Sequence, residues 1–109
     1  MPKINIETFI AEILDEDTEF DLAELCHTCQ VPAEFLMELI EFGALEPLGE
    51  SPQDWVFNTQ AFHRSRVAVR LKNDFDLQTS AIAIILDLLD EMRVLRQQVR
   101  LIENGKFPT

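Results

Sequence analysis

Asp21 to Gly43, DLAELCHTCQVPAEFLMELIEFG, reads as two short helices joined by a tight turn. Asp21 suits the N-cap of the first, and Glu24 three residues on completes a capping box that satisfies free backbone N–H groups. Leu22, Leu25, Cys26 and Cys29 follow helical spacing and are expected to form its buried face. After a turn at Gln30 and Val31, Pro32 fits the first position of a second helix, because its missing N–H costs nothing there. Phe35, Leu36, Leu39, Ile40 and Phe42 are expected to cover one side of that helix, and Gly43 to end it as a C-cap. Two helices so joined make a helix-turn-helix.

Outward from this pair the rhythm changes. Residues 1–20 carry an apolar pattern (Ile4, Ile6, Phe9, Ile10, Ile13, Leu14) and then the acidic run Asp15, Glu16, Asp17, which suggests a strand followed by a helix. From Ala44 to Phe57 the helical spacing stops, and Pro47, Gly49, Ser51 and Pro52 favour turns. Leu45 on one side and Trp55, Val56 and Phe57 on the other are expected to pair as a small β-hairpin, a wing. Asn58 or Thr59 then caps a third helix to about Asp74. Ala61, Ala68, Leu71 and Phe75 lie on its inner side; His63, Arg66, Arg70 and Asp74 lie on its outer side.

A last helix starts near Leu77 to Ser80 and runs to about Glu103. Ala81, Ile85, Leu88, Met92, Leu95, Val99 and Ile102 alternate spacings of four and three, a heptad seam. Its first part, Ala81 to Leu89, reads as apolar all round and is expected to be buried. Its second part is apolar only along the seam, with Arg93, Arg96, Gln97, Gln98 and Arg100 elsewhere. That seam needs cover, either from the chain's own N-terminal region or from a second copy. Sustained heptads with charged flanks favour the second copy, with Leu88, Met92, Leu95, Val99 and Ile102 as the dimer seam. The expectation is one all-α domain, a winged helix-turn-helix with a coiled-coil-like C-terminal helix. It divides into an extension at 1–20, a core at 21–75 and the last helix at 76–103.

Charge narrows the function. The 109 residues carry nine Lys and Arg against 20 Asp and Glu, a net charge of -11. Up to Asn58 there is one basic residue against 14 acidic ones, a net of -13; from Thr59 onward eight face six, a net of +2. Such a surface repels phosphate and attracts basic partners. The glutamates Glu34, Glu38 and Glu41 project within a narrow sector of the second helix, opposite Leu36 and Leu39. In a helix-turn-helix this is the helix that enters the major groove, where Arg, Lys, Asn or Gln are needed. Three carboxylates there argue against nucleic acid, although an acidic stripe is also what a plain solvated face looks like. Asp87, Asp90 and Glu91 on the last helix are a second set of candidate contacts. Arg66 and Arg70, with His63, make a modest basic stripe, read as solvated or as intramolecular partners for the acidic half.

Cys26-His27-Thr28-Cys29 invites a metal or redox reading, but structural zinc takes about four ligands and the only other histidine is His63. Both cysteines fit a buried helix face, where a thiol acts as a small hydrophobe. No nucleophile, base and oxyanion site come together, and with three glycines there is no phosphate loop. The expectation is a protein that is not an enzyme and uses no cofactor and no metal. No apolar run reaches the roughly 18 residues a membrane span requires. The N-terminus has no signal-peptide pattern, so a cytoplasmic location is expected.

Several segments together resemble a known family. They are Glu41-Phe42-Gly43-Ala44-Leu45-Glu46-Pro47, Trp55-Val56-Phe57, Arg66-Val67-Ala68-Val69-Arg70-Leu71, Asp76-Leu77, and Ala81 to Glu91. In order and spacing they are similar to the MerR-like winged-helix superfamily, and more closely to the chaperone modulator family CbpM, over about Asp21 to Glu103. The resemblance implies an all-α fold with a small wing. It also implies binding to the basic J-domain of a DnaJ-type co-chaperone, CbpA, and inhibition of it. It carries no catalytic motif. The architecture is shared with MerR-like DNA-binding transcription regulators, which stand as the alternative; the charge of the second helix opposes that reading.

Overall fold

The computed structural model describes residues 18–105, and the expected strand and helix of the N-terminal extension lie outside them, apart from residues 18–20. The described residues form four α-helices: α1 at Leu22–Cys29, α2 at Ala33–Glu41, α3 at Thr59–Phe75 and α4 at Thr79–Glu103. Helix α1 packs on α2 and α3, and α4 packs on α2 and α3 from the other side. Leu25, Leu36, Leu39, Phe57, Phe62 and Ile82 are fully buried where they meet.

The caps explain why the helices start and stop where they do. Asp21 accepts from the Glu24 N–H at 2.7 Å, and the Asp21 N–H donates to the Glu24 carboxylate at 3.0 Å, so the capping box is complete. Helix α1 ends with Gln30 in the left-handed region at φ 56°, and the Val31 N–H reaches back to the Cys26 carbonyl. Pro32 sits one position earlier than expected, as the N-cap of α2. At the far end Gly43 adopts φ 78°, its N–H bonds to Ile40 O, and the Ala44 N–H bonds to Leu39 O. These two bonds form a Schellman motif, which requires the left-handed residue that glycine supplies without strain. Asn58 caps α3 by accepting from the Ala61 N–H at 2.8 Å.

The expected hairpin wing does not form. Leu48 and Val56 exchange both backbone hydrogen bonds, each 2.9 Å, as one isolated antiparallel pair. The next rung outward would use Asn58, which is committed to capping α3. The next rung inward would use Asp54, which belongs to the 3-10 turn at Pro52–Asp54. The ladder therefore stops at one rung. Phe57 turns its backbone the other way and pairs with Phe20, whose ring stacks on Phe62 at 5.3 Å between centroids. Leu45, expected in the hairpin, is buried in the core instead. Within the loop, Gly49 adopts φ 122°, and a Cβ there would lie 2.7 Å from the Asp54 carbonyl oxygen.

Three other expectations need correction. Phe42 is 54% exposed and Phe75 is 67% exposed, so neither covers a helix face. Each falls at the end of its helix, where the neighbouring helices no longer reach. The segment Ala81 to Leu89 is not buried all round: Ile82, Ala83 and Leu86 face the core, while Ile84, Leu88 and Leu89 face outward. Only one side of α4 has α2 and α3 against it.

Candidate functional site

Helix α2 owes its orientation to the opposite side, where Phe35, Leu36 and Leu39 are buried. With that side inward, Glu34, Glu38 and Glu41 all stand exposed on the outer side. The last turn of α2 contains no basic residue. Carboxylates at a helix C-terminus oppose the negative end of its dipole, so Glu38 and Glu41 are not placed there for the helix's own benefit. Glu38 also has a tertiary contact among the described residues. The Thr79 hydroxyl, in the first turn of α4, donates to its carboxylate at 2.6 Å. Gln78, the N-cap residue of α4, makes no side-chain cap bond, so a carboxylate from α2 lies beside an otherwise uncapped, positive helix end.

Asp87 and Asp90 stand differently. Both are held by Arg64 of α3, Asp87 at 3.2 Å and Asp90 through a direct contact. The Arg64 Nε–H also donates to the Ala44 carbonyl at 2.7 Å. Asp90 is further paired with Arg93 at 3.5 Å. The Arg64 side chain is only 15% exposed, so one guanidinium joins α3, the loop after α2, and α4. A cleft of about 300 Å³ opens beside it, lined in part by Ala44, Leu45, Leu48, Arg64, Asp87 and Asp90. Glu91 is exposed on the neighbouring turn of α4. The two candidate sets are thus unlike: the α2 glutamates are exposed, with Glu38 also accepting from Thr79, whereas Asp87 and Asp90 already serve an internal arginine.

The sequence reading passed over Arg64. Its position was a usable signal, since it lies three residues after Ala61 and four before Ala68, on the inner stripe of α3. The exposed Met37 beside the α2 glutamates was also passed over.

Cys26 is half-buried and Cys29 is buried, both as free thiols. Burial pushes the Cys29 thiol up from 9.0 to about 11, against a smaller opposing effect of Arg66. Burial raises Cys26 as well. These thiols stay protonated near neutral pH, and the thiolate is the form that binds metal and attacks. Among the described residues no group of three His, Cys, Asp or Glu side chains converges as a metal site. None of the described helices is long and apolar enough to cross a membrane.

Comparison with known proteins agrees with this architecture. The family of MerR HTH regulatory proteins matches residues 20–104. A chaperone modulatory protein CbpM of Pseudomonas putida is 34% identical over 91 residues, covering 82% of this chain and 90% of that protein. The protein of the same name from Pseudomonas entomophila is 32% identical over the same shares. The one from Coxiella burnetii is 31% identical, over 84% of this chain and 86% of that protein. With a match of this extent on a helix-turn-helix whose second helix is acidic, the chain belongs to the CbpM family of chaperone modulatory proteins, within the MerR-like helix-turn-helix group.

Proposed function

We propose that this protein is a cytoplasmic chaperone modulator that binds the basic J-domain of a DnaJ- or CbpA-type co-chaperone through the acidic side of α2, and inhibits it by covering that surface. The observation that carries the reading is the solvent exposure of Glu34, Glu38 and Glu41 on the second helix of a helix-turn-helix. Densely charged phosphate would repel them, and a cationic protein surface would not. The relatives' name, chaperone modulatory protein, supports a partner of the chaperone class. Glu91, with the outer edges of Asp87 and Asp90, forms a second contact region, subordinate because Arg64 already occupies the two aspartates.

The protein acts as a homodimer in this reading. Leu88, Met92, Leu95, Val99 and Ile102 are between 44% and 61% exposed along α4, a continuous apolar line that a second copy covers. Asp87, Asp90 and Glu91 precede Arg93, Arg96 and Arg100 on the same helix. Antiparallel pairing sets these opposite charges against each other, whereas parallel pairing would align like charges.

Calorimetric titration with the J-domain from the same cell tests the function. The expected result is a complex whose affinity falls as salt rises. Absence of heat at tens of micromolar would reject the reading. The similarity to MerR HTH regulatory proteins favours DNA binding as the second reading. A defined retarded band on genomic fragments at low salt would support that one instead.

A further inference from the structure

We propose that Met37 and Phe42 are the apolar anchors of the α2 face, and that the surface they take is a basic amphipathic helix laid along α2. The inference rests on the reading just given and adds what holds the complex together. At 100° per residue, the outer side of α2 runs in order Met37, Glu41, Glu34, Glu38, Phe42. The glutamates form a ridge, and one large apolar side chain stands on each shoulder. Met37 is 39% exposed and Phe42 is 54% exposed. Neither is needed inside, since Phe35, Leu36 and Leu39 already fill the inner side.

Charge complementarity selects the occupant. This side presents three carboxylates and two apolar side chains, the second of them at the C-cap, and α2 has no basic residue anywhere along its length. Its C-terminal carbonyls add further negative potential, so a cation relieves repulsion that the free protein carries. The ridge extends from Glu34 to Glu41, about 10 Å along the axis. Lysines or arginines spaced four and three apart on a facing helix match Glu34, Glu38 and Glu41 over that length. Their aliphatic stems then lie on Met37 and Phe42, and a guanidinium can also stack on the Phe42 ring.

The division of labour follows from magnitudes. Exposed ion pairs add little affinity and mainly set the association rate. Binding energy concentrates in a few apolar or aromatic side chains that lose contact with water. Phe42 and Met37 therefore govern dissociation, and the glutamates govern association.

The test measures association and dissociation rates with the J-domain at low and high salt. It uses the wild-type protein, Phe42→Ala, Met37→Ala, and a triple variant with Gln at Glu34, Glu38 and Glu41. Phe42→Ala is expected to weaken binding about tenfold or more at both salt concentrations, through faster dissociation. Met37→Ala is expected to do the same to a smaller degree. The triple variant is expected to associate more slowly and to lose most of the salt dependence. Sedimentation of Phe42→Ala is expected to match the wild type. Wild-type binding with both alanine variants within twofold of it would overturn the anchors while leaving the proposed function standing. Altered sedimentation of Phe42→Ala would make the face a contact between copies and overturn the proposal. No wild-type binding at all would remove the proposed function and this inference with it.

Discussion

Arg64 has the most demanding environment of any single side chain here. It reaches the Ala44 carbonyl, Asp87 and Asp90 from a largely buried position. Arg64→Ala leaves a buried carbonyl without its donor and two carboxylates without their cation. Broken buried polar contacts of this kind cost about 2–3 kcal/mol, with little contribution from the well-exposed Asp87. Urea denaturation is expected to show that loss. Arg64→Lys should restore less than half of it, because an ammonium is a point charge and cannot span three acceptors as a planar fork does. Full recovery with lysine would mean that charge alone matters. The cysteines stand at the opposite extreme: their i, i+3 spacing on an inner face gave their packing role directly, and the raised Cys29 thiol is the electrostatic mark of that burial.

Among the elements, legibility tracked the range of the forces involved. The start of α1 was readable because a capping box is a contact three residues apart. The same holds for the Gly43 stop of α2, the Asn58 cap and the extent of α4. The wing was not readable. Trp55 to Phe57 has the composition of a strand, but the Asn58 cap on one side and the 3-10 turn at Pro52–Asp54 on the other leave room for a single rung, and strand composition does not carry that length limit. The end positions Phe42 and Phe75 fit the apolar period and are nonetheless exposed, since periodicity gives direction and not how far a neighbouring helix extends. The outward direction of the α2 glutamates was legible for the same reason that its core residues were. Their Thr79 contact, 41 residues away, was not. Helix α4 supplies the prediction at this scale. Leu95→Asp puts a carboxylate in the middle of the seam, and sedimentation is expected to show conversion to a monomer with the helix content of the domain largely kept. An unchanged sedimentation coefficient would reject α4 as the dimer contact.

At the scale of the whole molecule, the net charge of -11 acts on folding and on binding with opposite signs. Crowded like charge strains the compact state, and salt screens it. Raising salt from about 50 mM to about 300 mM, which shortens the Debye length from about 14 Å to about 6 Å, is expected to raise the melting temperature of the free protein by a few degrees. The same change is expected to weaken the complex with a basic partner. Thermal denaturation across a salt series checks the first effect, and a flat or falling melting temperature would contradict it. The uneven distribution of that charge matters more than its total. The half that contains the first two helices is strongly negative, and the half that contains α3 and α4 is nearly balanced. Arg64 holds Asp87 and Asp90 within the fold, whereas Glu34, Glu38 and Glu41 remain exposed on α2.

The loop between α2 and α3 invites engineering, since Glu46, Leu48, Gly49 and Glu50 are all exposed. Exposure is a poor guide to freedom there. Any side chain at Gly49 collides with the backbone of Asp54, not with a flexible tip that can swing aside. A library that randomises this loop should hold that one position fixed, and an insertion intended to extend the turn belongs on the side of the loop away from it.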